Sequence, residues 1–173
     1  DPGRARNRIT QAIDELTTVS AVLRAYLRKL EPERGRERDL ATGLTELARE
    51  WRATSFLRVE TAIDETAAAT VSPEQTRELL HIAKEAMANA HRHARGATVR
   101  ITLSLADETL SLSIVDDGVG MEATQPISGD GYGMANMHER AALLGGTLTI
   151  TSQIGRGTTI LVAISLTELK TEC

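Results

Sequence analysis

The strongest constraint on the fold is the way the hydrophobic period changes along residues 37–166. Apolar residues recur at helical spacing in some segments and alternate with polar residues, as strands do, in the segments between them. The predicted order is helix, strand, helix, strand, strand, helix, strand, strand. Because neighbouring strands are joined by short turns, we expect a mixed, partly antiparallel sheet. The chain is therefore predicted to form an α/β fold, a two-layer sandwich with helices on one face of the sheet.

Cap and turn signals set the predicted bounds of these elements. Ser72 is the expected N-cap of the central helix, with Pro73 in its first turn and Gln75 completing a capping box, and Gly96 follows its end. Helices are predicted at 37–53, 72–94 and 134–144, and strands at about 56–64, 99–105, 110–116, 148–150 and 160–164. The inward side chains of the first strand are predicted to be Leu57, Val59 and Ile63.

A separate long helix is predicted ahead of this sandwich, over residues 4–30. Its apolar side chains alternate spacings of four and three, as in a coiled-coil seam with one polar gap at Ser20: Ile9, Ile13, Leu16, Leu23, Leu27 and Leu30. We expect a helix in 1–32, a charged linker in 33–37, the main domain in 38–168 and a tail in 169–173. Because the sequence begins at Asp1 without a methionine, we also expect it to be a piece of a longer chain.

Composition excludes several classes of protein. Only four aromatic residues are present, so the core must be aliphatic, and the net charge of −4 gives no general attraction to nucleic acid. The single cysteine, Cys173, excludes a disulfide framework. No apolar run is long enough to span a bilayer and no signal peptide is visible. We expect a cytoplasmic location, in a parent protein that is either soluble or membrane-anchored.

The central helix carries a polar stripe at spacing four, formed by His81, Glu85, Asn89 and His93. Residues four apart share one face of a helix, so the Glu85 carboxylate and the Asn89 amide point the same way. Such a pair suits a water molecule and a hard cation. The alternative is that both side chains are simply solvated on the helix surface.

The segment Asp116-Asp117-Gly118-Val119-Gly120 follows a predicted strand and indicates a pocket for a planar ligand. Side chains alternate along a strand, so Asp116 continues the core-facing row of Leu110, Leu112 and Ile114. An inward carboxylate needs a donor, such as the exocyclic amine of adenine, and Gly118 and Gly120 remove side chains where a base would enter. The alternatives are an Asp-Gly turn, or Asp117 as the residue that contacts the base.

Two further glycine clusters indicate phosphate contacts. Gly129, Gly131 and Gly133 precede a predicted helix, whose N-terminal amides attract phosphate, although the same glycines suit a flexible loop. Gly155-x-Gly157-Thr158 can add a backbone contact near the base, or can form a hairpin turn.

Taken in order, these motifs resemble the ATP-binding domain of sensor histidine kinases, over residues 39–166. The order is Glu-x-x-x-Asn, Asp-x-Gly-x-Gly, Gly-x-Gly, Gly-x-Gly-Thr, as in the Bergerat fold that gyrase, Hsp90 and MutL ATPases share. The run 131–141 is similar to that of the nitrate-sensor and DesK-like subgroup, with Met134 replacing the usual leucine. The short segment 121–130 lacks a phenylalanine-containing box, which agrees with that subgroup.

The resemblance implies a role for each site residue. Asn89 would coordinate Mg²⁺, Glu85 would orient a water or act as a base, and Arg92 and His93 would lie at the phosphates of ATP. Asp116 would hold the adenine amine, with Gly118, Gly120 and Thr158 near the base. Gly131 and Gly133 would hinge the lid and cradle the phosphates.

The resemblance also implies a function. The γ-phosphoryl group of ATP would pass to a histidine and then to the receiver domain of a response regulator, in a homodimeric parent protein without a nucleic-acid partner. Residues 1–32 resemble the second helix of the dimerisation domain, which leaves the acceptor histidine outside this sequence. The alternatives are a serine kinase of the anti-sigma-factor type and a nucleotide-sensing or dimerisation module without catalysis.

Overall fold

A computed structural model describes residues 39–93, 98–120 and 131–166, all within the unit 37–173 of the chain. The predicted helix at 4–30 and the linker after it lie outside the described residues. Five strands form one mixed sheet in the order β1-β2-β3-β5-β4. Strand β1 runs parallel to β2, and the other three pairings are antiparallel. The predicted α/β fold with a mixed sheet is confirmed.

The elements lie close to their predicted bounds. The helices are α1 Leu40–Thr54, α2 Glu65–Ala68, α3 Pro73–His93 and α4 Gly131–Leu143; the strands are β1 Arg58–Ile63, β2 Thr98–Ala106, β3 Thr109–Asp116, β4 Thr147–Gln153 and β5 Gly157–Ser165. Helix α4 begins three residues before its predicted start at Met134. The short helix α2 was not predicted, because its four residues give too short a window for a helical period. Within the described residues, no helix is long and apolar enough to cross a membrane.

The core lies between the helices and one face of the sheet, and it is aliphatic as predicted. The buried side chains of β2 and β3 alternate with exposed or half-buried ones, which is the pattern of a sheet covered on one face. The largest fully buried side chains are Leu40, Leu44, Leu79, Ile82, Met87, Ile101, Leu103, Leu110, Leu112, Met137, Ile164 and Val99. Trp51 is only partly buried at the edge of this core.

The start of α3 is fixed by the predicted capping box. The Gln75 backbone N–H donates to Ser72 Oγ at 3.1 Å, and the Ser72 backbone N–H donates to Gln75 Oε1 at 2.8 Å. Both hydrogen bonds satisfy backbone donors that the helix itself leaves without partners. From this start, the apolar residues of α3 turn towards the sheet, and the stripe of Glu85 and Asn89 lies beside them, half-buried.

Candidate functional site

The end of β3 carries a half-buried carboxylate, as predicted. Asp116 is paired with Val99 of β2 on one side and with Thr158 of β5 on the other. Its Oδ1 accepts a hydrogen bond from the Gly118 backbone N–H at 3.0 Å. Burial raises the pKa of Asp116 above its ordinary value, although the hydrogen bonds from Gly118 and Thr158 oppose this. The central strand of the sheet therefore ends in a carboxylate that is costly to ionise.

The neighbouring Asp117 has a different task. Its Oδ1 accepts from the Thr98 backbone N–H at 2.6 Å, and its own N–H donates to the Thr98 carbonyl at 3.2 Å. The side chain is exposed and ties the end of β3 to the start of β2. The geometry therefore favours Asp116 over Asp117 as the carboxylate that faces a ligand.

Glycines allow the backbone segments around Asp116 to approach one another closely. Gly120 and Gly157 both have positive φ, +64° and +79°, and a Cβ would overlap the backbone of Gln153 at the first and of Asp116 at the second. The Gly155 N–H donates to the Val119 carbonyl at 2.7 Å. The alternative interpretation of this glycine segment, a hairpin turn, is confirmed, since the segment joins β4 to β5. The hairpin also packs against the turn that follows Asp116.

Thr158 lies at the start of β5, directly opposite Asp116 in the register. Its hydroxyl is 3.0 Å from the Ser152 hydroxyl across the hairpin, and Ser152 in turn donates to the Gly157 carbonyl at 3.1 Å. These contacts fix the hydroxyl of Thr158 beside the carboxylate. Ser152 was not singled out from the sequence, because a serine in a strand gives no signal of its own.

On α3, Glu85 and Asn89 are joined by a third residue of the same helix. A single nitrogen of Arg92, Nη2, donates to Asn89 Oδ1 at 2.8 Å and lies 3.2 Å from Glu85 Oε1. The Nε atom of Arg92 donates to the Ala88 carbonyl at 3.3 Å. The structure therefore brings three predicted site residues together on one helix face. His93 is the last residue of α3, and its side chain lies outside the described residues.

The glycine segment at the start of α4 meets this cluster. Gly131 is the first residue of the helix, and a Cβ at Gly133 would overlap the Glu85 carboxylate. A glycine at this position lets the first turn of α4 lie directly against Glu85 in its present rotamer, whereas a larger residue would require the Glu85 carboxylate to move. The predicted polar stripe on α3 and the predicted glycine motif are thus neighbours in space.

A second contact between the two helices lies two turns away. The Arg140 guanidinium donates to the Glu78 carboxylate. Burial raises the pKa of Glu78, but the hydrogen bond and charge of Arg140, with help from Arg77, outweigh it, and the pKa lies below its ordinary value. This ion pair and the Glu85–Gly133 contact hold α3 and α4 side by side.

One contact near the site was missed at the level of sequence. The ring of Trp51, on α1, lies against the ring of His91, near the end of α3, with centroids 5.3 Å apart and planes tilted by 52°. The two residues are forty positions apart in sequence, and no periodicity links them. The contact connects α1 to the last turn of α3, which carries Asn89 and Arg92.

The donor set on α3 is compatible with a magnesium ion that is shared with a nucleotide. Among the described residues, no group of three or more His, Cys, Asp and Glu side chains could form a metal cage. Mg²⁺ is usually held by one or two protein oxygens together with water and substrate phosphates, which is what the amide of Asn89 and the carboxylate of Glu85 offer. The residues present therefore fit the ion.

Residues 74–168 match the family model described as "Histidine kinase-, DNA gyrase B-, and HSP90-like ATPase". The match covers more than half of the chain, and it includes α3, the end of β3, α4 and the β4–β5 hairpin. The chain therefore belongs to this family, whose nucleotide is ATP.

Several proteins with this domain are similar to the chain. The sensor histidine kinase LiaS of Bacillus subtilis is 33% identical over 144 residues, 83% of this chain and 39% of LiaS. The signal transduction histidine-protein kinase/phosphatase UhpB of Salmonella typhimurium is 33% identical over 149 residues, 84% of this chain and 29% of UhpB. The chain thus spans two fifths or less of the length of these curated relatives.

The fold is also that of solved kinase domains. The histidine kinase domain of the blue-light activated histidine kinase EL346 of Erythrobacter litoralis matches 77% of this chain and 64% of its own length, with a TM-score of 0.64 and 22% identity. At this level of identity the likeness shows a shared fold. This likeness is a second, independent observation that confirms the predicted α/β architecture.

The raised pKa of Asp116 gives a prediction for stability. Because burial disfavours the charged carboxylate, Asp116 reduces the stability of the fold wherever it is ionised, above its folded pKa. Below the ordinary pKa of an aspartate the group is neutral in both states, and this cost is absent. We therefore expect Asp116→Asn to raise the free energy of unfolding at pH 7 relative to the unmodified chain. The gain should shrink as the pH falls from the folded pKa towards the ordinary pKa of an aspartate, about 4, and should be absent below it. Urea unfolding of both proteins at pH 7, 5 and 3.5 measures this.

Asp117→Asn is the matched control, because its carboxylate is exposed and accepts from the Thr98 amide. It should not stabilise the fold at neutral pH. A gain for Asp116→Asn that is independent of pH would contradict the assignment of the cost to an ionised carboxylate.

Proposed function

We propose that residues 38–168 are the catalytic ATP-binding domain of a sensor histidine kinase. In this proposal the γ-phosphoryl group of ATP passes to a histidine carried by a dimerisation domain, and then to the receiver domain of a response regulator. The observation that carries the proposal is the contact between the Glu85–Asn89–Arg92 cluster and Gly133, because it joins metal-binding oxygens, a cation and a helix start in one place. Phosphoryl transfer requires little more than such positioning and charge stabilisation.

The metal and phosphate groups would lie along the exposed side of α3. Asn89 is proposed as the protein ligand of Mg²⁺, and Glu85 as the residue that orients a water in its shell or accepts a proton. The bound ion would neutralise charge on the phosphates. Arg92 and His93 would lie close to the phosphates, and the backbone of Gly131 and Gly133 at the start of α4 would donate to them.

The adenine would lie at the end of the sheet. Asp116 is proposed to accept a hydrogen bond from the exocyclic amine of the base, which would add a donor to a half-buried carboxylate. Gly118 is proposed to leave space for the base, whereas the Cβ position of Gly120 faces the Gln153 backbone. The Thr158 hydroxyl lies beside Asp116. A base bound here would lie between the hairpin and α3.

The relatives favour a histidine as the acceptor, since LiaS and UhpB are both named as histidine kinases. The run 131–141 supports a place in the nitrate-sensor and DesK-like subgroup.

We further propose a homodimeric parent protein that uses residues 1–32 as part of its dimerisation domain, with the ATP-binding domain in the cytoplasm. A serine kinase of the anti-sigma-factor type is the second candidate, and a module that senses nucleotide without catalysis is the third.

The first prediction of this proposal concerns the metal. Asn89→Ala should abolish the Mg²⁺-dependent part of ATP binding and leave the fold intact, because Asn89 is half-buried on the helix face rather than in the core. Isothermal titration calorimetry with ATP, with Mg²⁺ and with EDTA, measures both parts. Lys84→Ala is the control, since Lys84 is exposed on the same helix, five positions before Asn89. Equal ATP affinity of Asn89→Ala and the unmodified chain in Mg²⁺ would exclude Asn89 as a ligand.

The second prediction concerns the base. Asp116→Asn should weaken ATP binding about tenfold, because one hydrogen bond to a charged acceptor contributes about 1.5 kcal/mol. Asp117→Asn should bind ATP as the unmodified chain does, since Asp117 is engaged with Thr98. Displacement of a fluorescent ATP analogue by ATP measures the ATP affinity of each variant and of the unmodified chain. The opposite ranking of the two variants would make Asp117 the residue that contacts adenine.

The third prediction concerns the acceptor. The sequence contains four histidines, His81, His91, His93 and His138, and all of them belong to α3 or α4 of the ATP domain. His138 is exposed, and its Nδ1 lies 3.0 Å from the Met134 carbonyl within α4. Incubation of this chain with γ-labelled ATP and Mg²⁺ should therefore give no stable phosphohistidine. Acid-labile, alkali-stable label on the chain would show that an acceptor is present after all.

A further inference from the structure

Arg92 engages the two oxygens that the proposed function assigns to the metal and its water shell. One guanidinium nitrogen lies 2.8 Å from Asn89 Oδ1 and 3.2 Å from Glu85 Oε1, so a single cation bridges both. The side chains of Arg92 and Glu85 are 38% and 35% exposed, so the bridge lies at the surface, within reach of solvent and solutes. Residues 85, 89 and 92 follow one helix face at spacings of four and three, which places the bridge on the helix itself.

Charge repulsion disfavours two cations at these oxygens together. An arginine side chain keeps its charge at any pH that a folded protein survives, so Arg92 cannot vacate the pair by losing a proton. A divalent ion would be repelled by the guanidinium at this distance and would compete for the same lone pairs. Metal binding at Asn89 is therefore favoured when the side chain of Arg92 rotates away.

We propose that Arg92 is an internal cation that blocks the metal ligands until a nucleotide arrives. The inference rests on the proposed function and adds to it the order in which nucleotide and metal bind. In the absence of nucleotide, Arg92 remains on Asn89 and Glu85. A polyphosphate offers the guanidinium a stronger acceptor than a surface carboxylate, with two parallel hydrogen bonds, and Arg92 then leaves both oxygens to the metal that accompanies the nucleotide. Arg92 thereby makes metal binding depend on nucleotide.

The test measures Mn²⁺, a paramagnetic substitute for Mg²⁺, on the chain without nucleotide. Electron paramagnetic resonance detects free Mn²⁺ directly, so a titration gives the fraction bound. The chain should bind Mn²⁺ weakly, and Arg92→Gln should bind it about fivefold more tightly, as expected when a competing surface ion pair worth up to about 1 kcal/mol is removed. In the double variant Asn89→Ala/Arg92→Gln the gain should vanish, because the freed ligand is gone.

Arg77→Gln is the matched control. Arg77 is also an exposed arginine of α3, 3.7 Å from Glu74 and 3.4 Å from Glu78. Its loss changes the net charge and removes an ion-pair partner from two carboxylates of the same helix, although Glu78 keeps its pair with Arg140. Mn²⁺ affinity should stay at the unmodified level in this variant. A gain as large as that of Arg92→Gln would show a general effect of charge and overturn the inference.

Two other outcomes are decisive. If Arg92→Gln gains no Mn²⁺ affinity, or keeps its gain when Asn89 is also replaced, Arg92 does not block the metal ligands. Calorimetry of the unmodified chain with ATP and Mg²⁺ separates this failure from that of the proposed function. If the unmodified chain binds ATP with Mg²⁺ and the Arg92 variants have the same Mn²⁺ affinity as that chain, only the blocking role is refuted. A chain that binds no ATP would refute the ATP site itself.

Discussion

The packing of α3 against the sheet is the interaction on which the rest of the site depends. Ala83, Ala86 and Ala90 are buried on the side of α3 that faces the core, and their small side chains let the helix axis lie close to the strands. The polar stripe of Glu85 and Asn89 lies beside these alanines on the same helix, half-buried. A larger residue at any of these alanines would lift Glu85 and Asn89 away from the sheet. Side chains that make no contact with a ligand thus determine where the ligand-binding atoms lie.

Close approach of backbone segments is the second constraint, and it explains the glycines individually. Gly157 is required because the hairpin passes directly over the Asp116 backbone, and Gly120 because the turn after β3 touches Gln153. Gly133 differs, since its neighbour is the flexible end of Glu85, which could move for a larger residue. The first two are needed for the fold to close, whereas the third leaves room for a carboxylate. Glycines that form one motif in the sequence therefore serve separate physical purposes.

The architecture and most of the site could be predicted from the sequence because they follow from short-range patterns. Alternation predicted the row that ends in Asp116, and the Ser72–Gln75 capping box fixed the start of α3 and therefore the direction of Glu85. Contacts between residues far apart in sequence could not be predicted in this way. The Glu78–Arg140 pair and the Trp51–His91 contact depend on how helices pack, which a single sequence does not encode as a period. The position of Arg92 on the two oxygens depends on a rotamer, which residue identity alone does not select.

The contact between Trp51 and His91 has a practical consequence. Trp51 is the only tryptophan of the chain, and it touches a histidine two positions beyond Asn89. Indole emission is sensitive to the polarity and charge of its immediate surroundings, so every photon from this protein's tryptophan comes from a ring beside the final turn of α3. The domain carries its own optical label beside the helix of its candidate ligand site, and rearrangement of that turn can be followed in real time without attaching a dye.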